Sequence, residues 1–170
     1  MLSLSKRADY ALLALSHLAA VQAAEPARLV NTKEIAEQYE LPAELLAKLL
    51  QTLARTGIVA SHPGPTGGYR LLRAPAAISV AEVITAIDGP LSILQCSNGQ
   101  GDTCKQFSRC TIRDPLAEIE RRVKSLLLEI TLADVGGLGP GPEEPASEEP
   151  DWSALPDFST RRFAAGLPMG

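Results

Sequence analysis

This 170-residue sequence predicts a mainly helical fold carrying one small β-hairpin, and three features predict it. Apolar residues recur at helical spacing in the stretches 5–23, 32–39, 42–56, 79–88 and 112–135. A single pair of short runs rich in β-branched and aromatic residues, Ile58–Ser61 and Tyr69–Leu72, flanks a turn-rich link. Breakers fall between these stretches: Glu25-Pro26, Leu41-Pro42, Gly57 and Gly89-Pro90.

The first helix spans Ser5 to about Ala23. Tyr10, Leu13, Ala14, His17, Leu18 and Val21 set its apolar stripe, and Leu12, Leu15 and Ala19 make it apolar nearly all round, so it needs more than one packing partner. His17 in that setting is expected to be a hydrogen-bonded core residue. Lys6 and Arg7 at its start suit either phosphate contacts or solvent. Thr32 is the expected N-cap of a short helix with Ile35 and Ala36 facing inward. Pro42 takes the tolerated first position of the next helix, which runs to about Thr56. Its buried stripe is Leu45, Leu46, Leu49, Leu50 and Leu53, and its outer face shows Glu44, Ala47, Lys48, Gln51 and Arg55. A short helix, a tight turn and a second helix with a polar outer face form a helix-turn-helix, whose second helix enters the DNA major groove. The hairpin that follows, with His62-Pro63-Gly64-Pro65-Thr66-Gly67-Gly68 at its tip, then reads as a wing. The fold class is therefore a winged helix-turn-helix.

Beyond the wing, Ser79 caps a helix to Asp88, with Glu82 at the capping-box position. A long helix follows with Asp114 as N-cap and Pro115 first. Leu116, Ile119, Val123, Leu126, Ile130 and Ala133 alternate spacings of three and four, a coiled-coil seam. Such a seam suits either a second copy of the chain or packing within one subunit. The four parts expected are a DNA-binding domain at 1–90, a cysteine loop at 91–111, a C-terminal dimerisation helix at 112–135 and a disordered acidic tail at 136–170.

The loop between the last two helices holds all three cysteines, Cys96, Cys104 and Cys110, among Ser, Asn, Gly, Gln and Lys. It has too little apolar surface to order itself, and ligand binding by three thiolates would supply the missing energy. An odd number of thiols cannot all pair as disulfides. An iron–sulfur centre, a structural zinc site and a thiol redox switch all remain open. A redox enzyme would need a nucleophile–base constellation that the two histidines and one tryptophan do not offer.

Composition agrees with an intracellular regulator. No apolar run approaches the ~20 residues of a membrane span, and Met1 opens into SLSKRADY without the order of a secretory signal. A cytoplasmic protein with reduced thiols is the expectation. The net charge of −4 lies wholly in the tail, where six carboxylates face only Arg161 and Arg162. Residues 1–95 carry eight Lys/Arg against eight Asp/Glu, so the acidic total says nothing against DNA binding.

The stretches SKRADYALLAL, TKEIAEQYELPAELLAKLLQTLARTGIV, GPTGGYRL and ISVAEVITAIDGPL, together with the cysteine trio, resemble the Rrf-two family of bacterial winged-helix regulators, of the IscR, NsrR and SufR type. The resemblance covers about four-fifths of the chain, Met1 to about Val135. It implies a homodimer on a palindromic promoter operator, with a 2Fe–2S or 4Fe–4S cluster on Cys96, Cys104 and Cys110. Two positions depart from the family pattern. Pro63 stands where family wings carry an arginine, leaving His62 or Thr66 to compensate. Arg113 stands where IscR-like members carry a histidine ligand. NsrR-like members use an aspartate near the start of the first helix, which makes Asp9 a candidate fourth ligand beside Asp102, Asp114 and solvent. On the DNA side, Glu44, Lys48 and Gln51 are expected at base edges and Lys33, Arg55 and Arg70 at phosphates. The sensed signal is oxygen, nitric oxide or cluster supply, with similarity to SufR-like regulators favouring the last.

Overall fold

The computed structural model describes residues 4–92, 105 and 109–137. Six α-helices, one hairpin and a single 3-10 turn (Pro75–Ala77) make up this part: α1 (Lys6–Ala24), α2 (Thr32–Gln38), α3 (Ala43–Arg55), β1 (Val59–His62), β2 (Gly68–Leu71), α4 (Val80–Asp88), α5 (Arg113–Glu129) and α6 (Leu132–Val135).

Helix α1 is the hub, in contact with α3, α4, α6 and β2. Ser5 caps it, accepting from the Ala8 N–H at 3.0 Å, and its hydroxyl donates to Asp88 at the end of α4. The inward face is Ala8, Ala11, Leu12, Ala14, Leu15, Leu18 and Ala19. It is offset from the expected stripe: Tyr10 and Val21 are half-buried and Leu13 is exposed. In a helix apolar nearly all round, periodicity cannot choose the face; the alanines turn inward because they let several partners approach closely.

The cap of α2 is Asn31, not Thr32. Asn31 has the extended backbone a cap requires, and its Oδ1 accepts from the Glu34 N–H at 2.8 Å. His17 ties α1 to α2. Its Nδ1 lies 3.3 Å from the Tyr39 hydroxyl, the rings meet edge to face, and Nε2 lies 3.6 Å from a Glu34 oxygen that also accepts from Arg28. The histidine is thus bonded through Nδ1 as expected, but it is half-buried at the edge of the core, and its Nε2 has no hydrogen-bond partner among the described residues.

Tyr39-Glu40-Leu41 makes the sharp turn into α3. Glu40 is left-handed (φ 54°), and the Leu41 N–H reaches back to the Ala36 carbonyl at 2.9 Å. That is a Schellman ending in which glycine is the usual residue. Pro42 is the N-cap of α3, so the helix starts at Ala43, one place later than expected. Leu46, Leu49, Leu50 and Leu53 are buried, while Leu45 is only partly covered. A second Schellman turn closes α3: Gly57 is left-handed and Ile58 N–H returns to Leu53.

The hairpin pairs Val59 with Leu71 through His62 with Gly68. Val30, just before α2, exchanges both backbone hydrogen bonds with Tyr69, so the wing is anchored on a third short strand position. The paired glycines of the tip are dictated by this packing. A Cβ on Gly67 would sit 2.2 Å from the His62 carbonyl oxygen, and one on Gly68 would sit 2.6 Å from that of Val30.

Ser79 caps α4 as expected, but Glu82 does not reach back to it. Its carboxylate pairs with Arg73 instead, fastening α4 to the segment after the wing. Helix α5 starts at Arg113 after an Ile112 cap, because the Asp114 carboxylate is engaged by Arg113 Nε and does not cap.

The predicted single helix over 112–135 is two helices. Ile130 leaves the helical conformation and Thr131 pairs with Ser79 in an isolated bridge. The Val80 N–H donates to the Ile130 carbonyl at 2.9 Å and the Leu132 N–H to that of Ile78 at 2.8 Å. Thr131 and Asp134 form a reciprocal capping box, which starts α6. Leu132 is fully buried and packs into the core formed by the N-terminal elements. The expected seam therefore divides: Ile130 and Ala133 are used within the chain, while Ile119 and Leu126 remain 49% and 55% exposed. The Thr131 hydrogen bonds hold Asp134 below its ordinary carboxylate value. Residues 136 and 137 continue into a turn; the rest of the expected tail lies outside the described residues.

Candidate nucleic-acid interface and cysteine site

Burial of the leucine stripe fixes which side of α3 faces outward. Glu44, Lys48, Gln51 and Arg55 all stand exposed on it, at the i, i+4, i+7, i+11 spacing of one helical face. Such a row has donors and acceptors long enough for base edges: lysine for guanine, glutamine for adenine and glutamate for cytosine. Lys33 stands exposed in the first turn of α2, which packs on α3, with a loose 3.6 Å pairing to Glu37. Arg70 lies opposite Ala60 on the hairpin with its side chain exposed, and His62 and Thr66 are exposed at the tip. Sequence reasoning missed the bolts beneath these residues. Gln22 of α1 accepts from the Leu71 N–H at 2.7 Å, and the Val30 bridge holds the wing from its other side. A lone Gln in an apolar helix and a single-residue bridge leave no periodic signal.

The cysteine site is described in part. Cys110 is half-buried, three residues before α5 begins, and the other end of the loop leaves α4 through Leu91 and Ser92. Cys96 and Cys104 lie outside the described residues, as does Asp102. Asp9 is exposed in the first turn of α1. Asp114 is held below its ordinary value by the hydrogen bond and charge of Arg113. Arg113 has no acceptor atom and cannot take the place of a histidine ligand. A donor set of three thiolates suits soft metals and iron–sulfur clusters, and Cys110 at the foot of a helix is accessible enough to serve. Further along α5, Glu118 lies between Arg121 and Arg122, whose hydrogen bonds bring its carboxyl down to about 2. Among the described residues no helix is long and apolar enough to cross a membrane.

A helix pair with an exposed polar second helix, followed by an anchored hairpin, defines a winged helix-turn-helix DNA-binding protein. Comparison narrows the class. Residues 4–137 match the model of the Rrf2 (Rrf-two) family, described as an iron-dependent transcriptional regulator. The chain belongs to that family and is a DNA-binding transcriptional regulator, not an enzyme. An HTH-type transcriptional regulator of Mycobacterium tuberculosis is 35% identical over 162 residues, 95% of this chain and 96% of the relative. The regulator NsrR of Bacillus licheniformis is 31% identical over 134 residues, 79% of this chain and 92% of its own. Among solved structures, the global cysteine regulator CymR of B. subtilis superposes with a TM-score of 0.62 at 26% identity, covering 82% of this chain and 99% of CymR.

Proposed function

We propose that this protein is a cytoplasmic homodimer whose grip on a palindromic promoter operator is set by an iron–sulfur cluster held by Cys96, Cys104 and Cys110. The observation that carries the reading is the placement of the loop: it leaves α4 at Ser92 and ends with Cys110 at the foot of α5. Both helices are themselves joined at the Ile78–Val80 and Ile130–Leu132 strap. Thiolate ligation of iron would order the loop and supply a redox-labile centre. Asp9, contributed across the dimer, is the proposed fourth ligand. Lys48, Glu44 and Gln51 read base edges, Lys33, Arg55 and Arg70 neutralise phosphates, and His62 and Thr66 take the wing contacts that Pro63 does not provide. The exposed Ile119 and Leu126 on α5 supply the dimer seam, together with Leu116 and Val123.

Loop order then reaches DNA through packing. A change at Cys110 alters the start of α5, and α5 ends on a strap bonded to the first residue of α4. Because groove spacing is fixed by the duplex, a small change in the relative placement of two recognition helices alters operator affinity. The genes controlled are proposed to be those of iron–sulfur cluster assembly, or of a redox or nitric oxide response.

Anaerobic purification tests the reading. Bound iron and sulfide with visible charge-transfer absorbance, and operator affinity that changes when each cysteine becomes serine, are expected. Zinc bound in their place, or thiols that respond to oxidants with no metal, would move the chain to the second reading, a regulator with a structural zinc site or thiol switch.

A further inference from the structure

A groove of about 480 Å³ opens between the end of α1, the segment leaving β2 and the start of α6. Ala19, Gln22, Ala23, Leu72, Pro75 and Ala133 are among its lining residues. Leu72 is 53% exposed there, a large side chain left bare beside small apolar neighbours. The volume lies in the range of about 300–1,000 Å³ typical of sites that accept a ligand of several rings. None of the residues proposed to contact DNA lines it, nor does Cys110.

Its location is informative because Ala133 lines the groove four residues before the last described residue, Gly137. The chain then continues through a Gly-, Pro- and Glu-rich stretch, 138–151, to Trp152, Leu155 and Phe158. Trp152 is the only tryptophan in the protein. A Gly-rich coil of that many residues has a root-mean-square reach of about 20 Å, ample to return to a groove beginning beside its own anchor. The same segment is included in the match to the M. tuberculosis regulator, since 95% of a 170-residue chain necessarily includes Trp152, Leu155 and Phe158.

Charge is compatible with the same place. Glu148, Glu149, Asp151 and Asp157 surround the apolar residues of the segment. The groove has no carboxylate in its lining, and its one charged lining residue, Arg73, is paired with Glu82. Two other hollows of about 410 Å³ are lined by Glu34 and Glu37, or by Glu129 and Asp134, and a third of about 430 Å³ by the paired Glu82. A fifth, beside Lys124, also lacks a carboxylate, but at about 230 Å³ it is half the size. Size and charge together favour the first.

We infer that the C-terminal segment beginning at Trp152 docks in this groove, with Trp152 and Leu155 against Leu72 and Pro75. Tethering makes a modest contact sufficient. A flexible leash gives an effective concentration of about millimolar, so an interaction too weak to hold a free peptide keeps the segment seated. Docking would link the root of the wing, through Leu72, to α6, through Ala133.

The single tryptophan supplies the test. Fluorescence of the full chain is followed by the position of the emission maximum and by acrylamide quenching. The expected result is blue-shifted emission and protection from acrylamide relative to the same protein in urea. Leu72→Glu and Ala76→Glu, both at exposed positions of the groove, should each return Trp152 to the urea-like position with the far-ultraviolet dichroism unchanged. Native emission already at the urea position would overturn docking and leave the groove to a separate ligand. Emission that stays blue-shifted in both variants would mean the segment seats elsewhere. A shift that fades on dilution would assign the occupant to another molecule. Each of these three outcomes sinks the inference.

Discussion

Leu132→Ala is the sharpest probe of how the chain's C-terminal helices are joined to its DNA-binding part. Leu132 is fully buried, in a four-residue helix that would have little stability alone. It touches the core because the strap between Ile78 and Leu132 places it there at a 2.8 Å backbone hydrogen bond. Truncating a buried leucine costs the lost transfer free energy plus that of the cavity, about 2–5 kcal/mol in total. The site lies near the end of the packed chain, where neighbours can partly collapse, so about 3 kcal/mol is expected here. Leu128→Ala is the control, since that side chain is 62% exposed and should change stability by less than about 0.5 kcal/mol in the monomer. Urea unfolding at equilibrium, below the dimerisation concentration, measures both. A loss under about 1 kcal/mol for Leu132→Ala with an unchanged slope would show that α6 does not pack on the reading head, and would remove the strap from the coupling route.

Other outcomes follow from single features. Glu40→Gly should stabilise the protein by about 0.5–1 kcal/mol, because release of the left-handed backbone (about 1–2 kcal/mol) exceeds the extra freedom of the unfolded chain (about 0.4–1 kcal/mol); thermal unfolding checks it. Arg55→Ala should weaken binding to all DNA sequences alike and lower the salt-dependence slope by about 1, whereas Gln51→Ala should relax preference at one base pair with little change in slope; titrations at several salt concentrations separate them. Asp134 is held below its ordinary 3.8 by Thr131, so its stabilising contribution is full above that value and is lost as pH falls toward the lower folded value. Thr131→Val removes the hydroxyl hydrogen bond, the larger of the two causes, while the backbone N–H of residue 131 still donates; the difference narrows, and the acid-unfolding midpoint should move part of the way to higher pH.

The elements most legible in the sequence were those with an unambiguous face. The leucines of α3 could be buried in only one way, so the exposed row Glu44, Lys48, Gln51 and Arg55 followed directly. The wing was legible from its breakers, although its purpose for Gly67 and Gly68 was not: they approach the protein's own carbonyls, which only the fold reveals. Helix α1 hid its inward side because nearly every side is apolar. The break at Ile130 was masked by a seam that continued in register, and a backbone bridge to Ser79, distant in sequence, decided against one continuous helix. Caps slipped by one residue where two candidates stood together, as with Asn31 and Thr32. The cysteine spacing suggested a metal centre but carried no information on which other side chains would complete it.

The strap has a practical meaning for anyone cutting this molecule into pieces. A fragment ending near residue 90 looks like a tidy excision of the DNA reader, yet it would strip Leu132 and Ala133 from α1 and bare Ile78, which is fully enclosed in the intact chain. Such a fragment should be sticky and short-lived. Expression boundaries are better drawn after Gly137, where the reader keeps the small helix that closes it.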